Sequence, residues 1–259
     1  MSAPIIALTT DFGVSSSYVA AMKAVVLSTL PDARLVDLTH AVPPQAIRDA
    51  EVALRSAAFL FPIGTVHIVV VDPGVGTKRR PIAVQARGLS FVGPDNGVLG
   101  LALREPGARA ICIDRPGLAR EPLSPTFHGR DLFAPVAAEL AAGVPLDELG
   151  TPITDALPST LPEPMSDAAG VRGEVLIADS FGNLLTNIPG RLLRDDFEVT
   201  VHGRLARRVR TYGDGAPGEL LALIGSDGYL EIALRDGSAV RTLAAEPGES
   251  VTCSRKRPT

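Results

Sequence analysis

The run Val66-His67-Ile68-Val69-Val70-Val71 constrains this chain more than any other stretch of it. Five of these six positions are apolar and β-branched, and with a lone histidine among them the run has no polar side to turn to water. A strand of this kind is buried on both faces, the hallmark of a sheet covered by helices above and below. It ends in Asp72-Pro73-Gly74-Val75-Gly76, so it runs straight into a polar turn. His67, in the middle of the run, reads as a core side chain.

The neighbouring sequence repeats the alternation. Residues 5–8 form a short apolar run that ends in Thr9-Thr10-Asp11-Phe12-Gly13, and residues 18–30 then place Val19, Met22, Val26 and Leu30 at helical spacing. Residues 35–38 predict a second strand and 47–61 a second helix. Residues 82–84, 91–92 and 110–113 predict further strands, and 131–142 a further helix. Strand–helix alternation of this kind predicts an α/β amino-terminal domain with a largely parallel sheet. Such sheets present ligand-binding groups in the loops beyond their strands' carboxyl ends. Three polar clusters fall there: Thr9-Thr10-Asp11, the Asp72 turn, and Pro94-Asp95-Asn96-Gly97.

Composition changes after residue 150. Residues 151–169 are rich in proline, serine and acids and lack periodicity, which marks a boundary. Residues 173–178, 197–201, 207–212, 220–224 and 229–233 then follow as short strands separated by Gly, Asp and Pro, the pattern of a small all-β barrel-like domain. The division predicted is an α/β domain at 1–160, a linker at 161–170 and a β-barrel-like domain at 171–259.

Several function classes are disfavoured. Formal net charge is −4, there is no tryptophan, and aromatics make up 4% of the 259 residues, so a nucleic-acid partner is poorly supported. The one basic concentration, Ser254-Arg255-Lys256-Arg257, reads as a solvated end. No apolar run reaches the ~20 residues of a membrane span. The amino terminus shows no leader pattern, and two distant cysteines, Cys112 and Cys253, suggest neither a disulfide framework nor a zinc site. A cytoplasmic protein that binds no metal is the expectation.

The chemistry concentrates in a few clusters, each with a bland alternative. Asp72 with Gly74 and Gly76 could be a tight turn, with Arg79 and Arg80 merely solvated; no third glycine makes it a dinucleotide fingerprint. Thr126-Phe127-His128-Gly129-Arg130-Asp131 could be a helix start capped by Asp131. Asp179-Ser180-Phe181-Gly182-Asn183 and Gly225-Ser226-Asp227-Gly228 could be hairpin turns. His40 reads as a turn residue and His202 as a surface one.

Taken in order, these clusters, with Thr9-Thr10-Asp11-Phe12-Gly13, Pro94-Asp95-Asn96-Gly97 and Gly228-Tyr229-Leu230-Glu231-Ile232-Ala233, closely resemble the S-adenosylmethionine hydroxide adenosyltransferases, relatives of the fluorinating and chlorinating adenosyl enzymes. The resemblance spans residues 5–240. It implies hydrolysis of S-adenosylmethionine to adenosine and methionine by a homotrimer, each ligand lying between one subunit's first domain and its neighbour's second. It also implies that Asp72, Arg79 and His128 position and activate water, with no metal and no cofactor. Asp11 would grip the ribose diol, Phe127 and Gly129 would shape the pocket, and Asp179 and Ser226 would meet the methionine head group. Asn183 would read the adenine edge and Phe181 would form a wall for the base. The chain departs from the family pattern at Ser16, Gln45 and Asp227, where an acid, an aromatic and a small or basic residue are usual.

The leaving group explains the economy of this set. Departure of the sulfonium neutralises its charge, so no general acid is needed and the demand falls on orienting the nucleophile. Three other readings compete. A halide nucleophile is disfavoured by a carboxylate beside its site, a binding module without turnover by the completeness of the polar set, and a metal-dependent hydrolase using Asp11, Asp72 and His128 by the absence of tight ligand spacing.

Overall fold

The structure, a computed structural model, describes residues 3–255 and divides into two compact units, Met1–Thr160 and Leu161–Thr259. Lys256 and Arg257 of the basic end lie outside the described residues.

The first unit is a seven-stranded sheet: β1 (Ile5–Thr10), β2 (Arg34–Thr39), β3 (Val66–Val70), β4 (Pro81–Ala86), β5 (Leu89–Pro94), β6 (Arg109–Ile113) and β7 (Gly150–Ile153). Their spatial order is β2-β1-β3-β5-β4-β6-β7. Four helices accompany it: α1 (Tyr18–Thr29), α2 (Ile47–Ala57), α3 (Gly100–Leu103) and α4 (Ala134–Ala141). All five residues of β3 are buried. Val66, Ile68 and Val70 pack with Met22 and Val26 of α1 and Val136 of α4, while Val69 and Val71 pack with Ala50 and Leu54 of α2 and with Leu99. Burial on both faces follows from the near-continuous apolar run.

The sheet is mixed rather than largely parallel. β2, β1, β3 and β5 run parallel, but β5–β4, β4–β6 and β6–β7 are antiparallel. A two-residue hairpin causes the reversal. Arg87 and Gly88 have φ of +51° and +76°, the primed-turn geometry that suits twisted antiparallel strands. Proline explains the other local departure, at the helix expected over 131–142. Pro135 has no N–H to give the Asp131 carbonyl, which accepts instead from the Arg120 N–H at 2.8 Å. The chain takes a π turn over Gly129–Phe133 before α4 begins.

The second unit contains β8 (Met165–Ser166), β9 (Gly170–Ala178), β10 (Leu184–Pro189), β11 (Phe197–Val201), β12 (Arg204–Arg208), β13 (Leu220–Ile224), β14 (Tyr229–Leu234) and β15 (Ser250–Arg255), with a short helix α5 (Ala239–Leu243). The order β9-β10-β14-β13-β12-β11-β15, with β15 pairing back to β9, closes a seven-stranded barrel. β8 pairs with β9, so the segment expected as a linker contributes a strand to this unit. Three barrel strands differ from the sequence reading. β10, directly after the Asp179 turn, and β15, which overlaps the basic end only at Ser254 and Arg255, are not among the strands expected. β12 begins earlier than expected, directly after a hairpin whose His202 and Gly203 have φ of +50° and +69°.

Candidate active site

β1 and β3 are adjacent and parallel, so Asp11 and Asp72 leave the same edge of the sheet side by side. They line one cavity of about 380 Å³ together with Phe12, Tyr18, Gln45, Phe127, His128 and Gly129. A larger cavity of about 600 Å³, by Leu103, Arg109 and Pro152, has an ion pair at its rim but no comparable set of convergent groups. Chemistry, not size, selects the first.

Asp72 and Arg79 form a buried pair, their side chains 4% and 9% exposed. Arg79 Nε lies 3.0 Å from both carboxylate oxygens, and Nη2 also donates to Oδ2. The same Nη2 lies 2.8 Å from His128 Nδ1. A guanidinium has no lone pair and keeps its protons at any ordinary pH, so Nδ1 must be the acceptor. The imidazole is therefore neutral and carries its hydrogen on Nε2. Burial is the main cause of a pKa below the ordinary histidine value; the Arg79 charge adds to it, and Asp72 and Asp131 pull the other way. His128 stands at the start of the π turn, a distortion often found at functional sites.

Asp131 does not cap a helix. Its carboxylate, almost wholly buried, accepts from Arg130 Nε and Nη2 at 2.7 and 2.8 Å and from the Ser124 N–H at 3.0 Å. The bond to Arg130 is the main reason its pKa lies below the usual carboxylate range. Asp131 thereby holds the 120–124 loop against the residues around His128.

Gly76 joins the two halves of the triad. Its φ is +76°, and a Cβ there would fall 2.2 Å from the Pro125 carbonyl oxygen, three residues before His128. Gly76→Ala combines left-handed strain with a backbone clash, so a loss of more than about 1–3 kcal/mol is expected. Denaturant midpoints would measure it, and a change below 0.5 kcal/mol, as at ordinary surface sites, would show that the two segments part easily.

At Asp11, Oδ2 accepts the Gln45 N–H at 2.7 Å. Gln45 holds φ +66°, a strained conformation for this residue type at the cavity wall. Phe12, Tyr18 and Phe127 pack edge to face with centroids 5.2–5.8 Å apart, and the Arg130 guanidinium sits 5.0 Å from the Phe127 ring. Tyr18 was legible only as a helix start; the signal available was its place in a chain so poor in aromatics.

The remaining predicted residues belong to the second unit. Asp179 Oδ1 accepts the N–H groups of Phe181 and Asn183, both at 2.9 Å, and Oδ2 accepts Asn183 Nδ2 at 3.0 Å. Phe181 is 78% exposed at this turn, and Ser226 is exposed on the turn between β13 and β14. The sequence reading assigned no role to the adjoining pair, Tyr212 donating to Glu231 Oε1 at 2.6 Å. Burial raises the Glu231 pKa, against the Tyr212 bond and with help from Asp179 and Asp227. Among the described residues no group of three or more His, Cys, Asp or Glu side chains is placed to hold a metal ion, and no helix is long and apolar enough to cross a membrane.

Comparison with known proteins identifies the family. A protein from Thermus thermophilus named (R)-S-adenosyl-L-methionine hydrolase is 43% identical over 93% of this chain and 96% of its own. One of the same name from Salinispora tropica is 41% identical over 95% and 96%. A fluorinase from Nocardia brasiliensis is more distant, at 29% over 96% of each chain. The crystal structure of an uncharacterized conserved protein from Thermotoga maritima superposes with a TM-score of 0.89 at 38% identity, covering 96% of this chain and all of the other. Sequence models of the SAM hydroxide adenosyltransferase N-terminal and C-terminal domains match residues 6–150 and 173–252, and the chain belongs to that family.

Proposed function

We propose that this protein hydrolyses S-adenosyl-L-methionine to adenosine and L-methionine, and that its substrate is the R-sulfonium form for which its relatives are named. The observation that carries the mechanism is the continuous Asp72–Arg79–His128 contact beside the cavity that Asp11 lines. Water oxygen attacks the ribose 5′-carbon in line with the sulfonium. The C5′–S bond breaks with its electron pair going to sulfur, which becomes the neutral thioether of methionine, and one water proton is released.

The hydrogen-bond geometry divides the labour. His128, with Nδ1 committed to Arg79, offers an Nε2–H and so orients the water as a donor. Asp72 keeps a lone pair on Oδ1 beyond the one Nε occupies, and it is the group that receives the water's proton. Arg79 stabilises the developing hydroxide and holds the other two in register. Asp11, its Oδ2 anchored by Gln45, presents Oδ1 to the ribose diol. With its amide nitrogen bonded to Asp179, Asn183 has its carbonyl to read the adenine amino edge. Asp179 and Ser226 serve the amino-acid end, and Phe181 covers the base. These last residues belong to the second unit, and the family resemblance supports a homotrimer in which each site is completed by a neighbouring copy. The reaction requires no metal or cofactor, and with both cysteines free a reducing cytoplasm suits the chain.

The test is a time course in water enriched in heavy oxygen, with each sulfonium epimer, with and without chloride, fluoride and a chelator. Halide- and chelator-independent adenosine labelled at its 5′ oxygen is expected, faster from the R epimer. Halogenated nucleoside would move the protein to the halide branch, and bound ligand without product would leave a binding protein. Sedimentation at the mass of three chains would support the assembly.

A pH profile tests the histidine separately. Protonation would put a hydrogen on Nδ1, facing the guanidinium. Because burial and Arg79 lower the His128 pKa, kcat/KM should stay level as pH falls past 6.5 and decline only as pH drops through the lowered value. An acid limb centred at or above 6.5 would contradict the arrangement.

A further inference from the structure

None of the side chains of the turn Pro94-Asp95-Asn96-Gly97 stands among the residues lining the cavity, yet consecutive residues of it grip both ends of the segment that carries the triad's first two members. Segment 72–79 is joined to β3, which ends at Val70, through Val71 and to β4, which begins at Pro81, through Arg80. At its start, Asn96 Nδ2 donates to the Val71 carbonyl at 2.9 Å, while Asn96 Oδ1 accepts the Val98 N–H at 3.1 Å. That carbonyl lies beyond the β3–β5 ladder, whose last pair is Ile68 with Val92, so a side chain takes over where backbone pairing stops. At its end, Asp95 Oδ2 accepts Arg80 Nε at 2.9 Å, and the Asp95 N–H donates to the Arg80 carbonyl at 2.9 Å. Asp95 Oδ1 is held in turn by the Leu157 N–H at 2.8 Å. The Asp95 side chain is 4% exposed, so its interaction with Arg80 is shielded from solvent on the carboxylate side.

We infer that Asp95 and Asn96 are positioning residues for the water-activating end of the site. Neither lines the cavity. They peg Val71 and Arg80, the residues flanking the segment, and so fix where Asp72 and Arg79 stand against His128. A two-point grip matters because the triad's working geometry depends on one guanidinium nitrogen serving two acceptors, Asp72 Oδ2 and His128 Nδ1. With one end released, Arg79 can keep Asp72 but drift from His128, and misplacement of about 1 Å costs rate on the order of 100-fold. The inference rests on the proposed attack by water.

The test uses the full chain with Asn96→Asp, which keeps the shape but replaces the donor with an acceptor facing Val71 O. Asn96→Ser, which leaves the peg unmade without adding charge, serves if the first variant does not fold. Two quantities are read: kcat and KM per folded molecule, and the ¹⁵N imidazole resonances of His128, assigned by their absence in a His128 variant. The expected result is kcat lower by about 10- to 100-fold with KM little changed, and a His128 signal moved away from the pure Nε2–H tautomer. An unchanged kcat per folded molecule overturns the inference, as does a rise in KM alone; either would leave the turn with a stabilising role only. If the wild-type protein releases no adenosine, it is the proposed function that fails, and the imidazole signal still decides whether the turn sets the His128 contact.

Discussion

Asp72→Asn is expected to lower adenosine release by about 100- to 10,000-fold while the protein still binds its ligand. The amide has nearly the carboxylate's shape, so the cavity is kept. What is lost is the charge, the second acceptor for Arg79 and the lone pair that receives the proton. A guanidinium only 9% exposed is then left with half its counterpart, and removing one partner of a buried ion pair typically costs about 3–5 kcal/mol of stability. Activity must therefore be expressed per folded molecule, with ligand affinity measured by calorimetry beside it. A variant that binds but does not turn over supports the hydrolase. Unchanged turnover in folded Asp72→Asn would remove the carboxylate from the mechanism altogether.

His128 offers a sharper comparison. If its task is to accept from Arg79 and donate to water, Gln can imitate both through its carbonyl and its amide N–H, whereas Leu can do neither. Activity in the order wild type, His128→Gln, His128→Leu is expected. Equal loss in both variants would mean that proton transfer to the imidazole is essential, contrary to the tautomer that Arg79 imposes.

The parts of this molecule that could be read from sequence were those fixed by local chemistry. The run 66–71 dictated a doubly covered strand, and the polar residues after it had to stand at the sheet's carboxyl edge. Asp72, Arg79 and His128 share an order in the chain with a known family. Their mutual contact, however, depends on Gly76 approaching Pro125 and on Pro135 forcing a π turn, neither of which has a period or a spacing to announce it. The sheet's change of direction hung on two residues, Arg87-Gly88, whose weight as a hairpin turn was overlooked beside the stronger strand–helix alternation. In the barrel, β10 escapes a sequence reading because Leu184-Leu185-Thr186-Asn187 has no period-2 alternation and follows directly on the Asp179-Ser180-Phe181-Gly182-Asn183 turn. The role of Asp95 and Asn96 was unreadable for a different reason. They act on backbone atoms of Val71 and Arg80, and only a three-dimensional neighbourhood connects them.

The second large effect expected is on stability in mild acid, and it comes from His67 rather than from the active site. This ring is fully buried in the middle of β3, stacked on Phe91 at 4.8 Å and edge-on to Phe61 at 5.0 Å. Neither nitrogen makes a hydrogen bond of normal geometry. Burial drives its pKa from 6.5 down to about 4, the backbone at Ala58 pulling the other way. The sign follows from proton counting: between these values the unfolded chain binds a proton that the folded chain refuses, so stability is present above 6.5 and is lost as pH falls toward 4. The loss should reach about 2 kcal/mol at pH 5. Denaturant unfolding at pH 7.5 and pH 5, for the wild type and His67→Phe, isolates it, because any packing cost of the larger ring is common to both pH values and cancels in the difference. The wild type should lose about 2 kcal/mol more than the variant over that interval. Paired carboxylates such as Asp131 cannot imitate the result, since a pKa below 3.8 confines their contribution to more acidic solution. Parallel losses in the two proteins would mean that the β3 core admits a proton or water at His67 before the fold gives way.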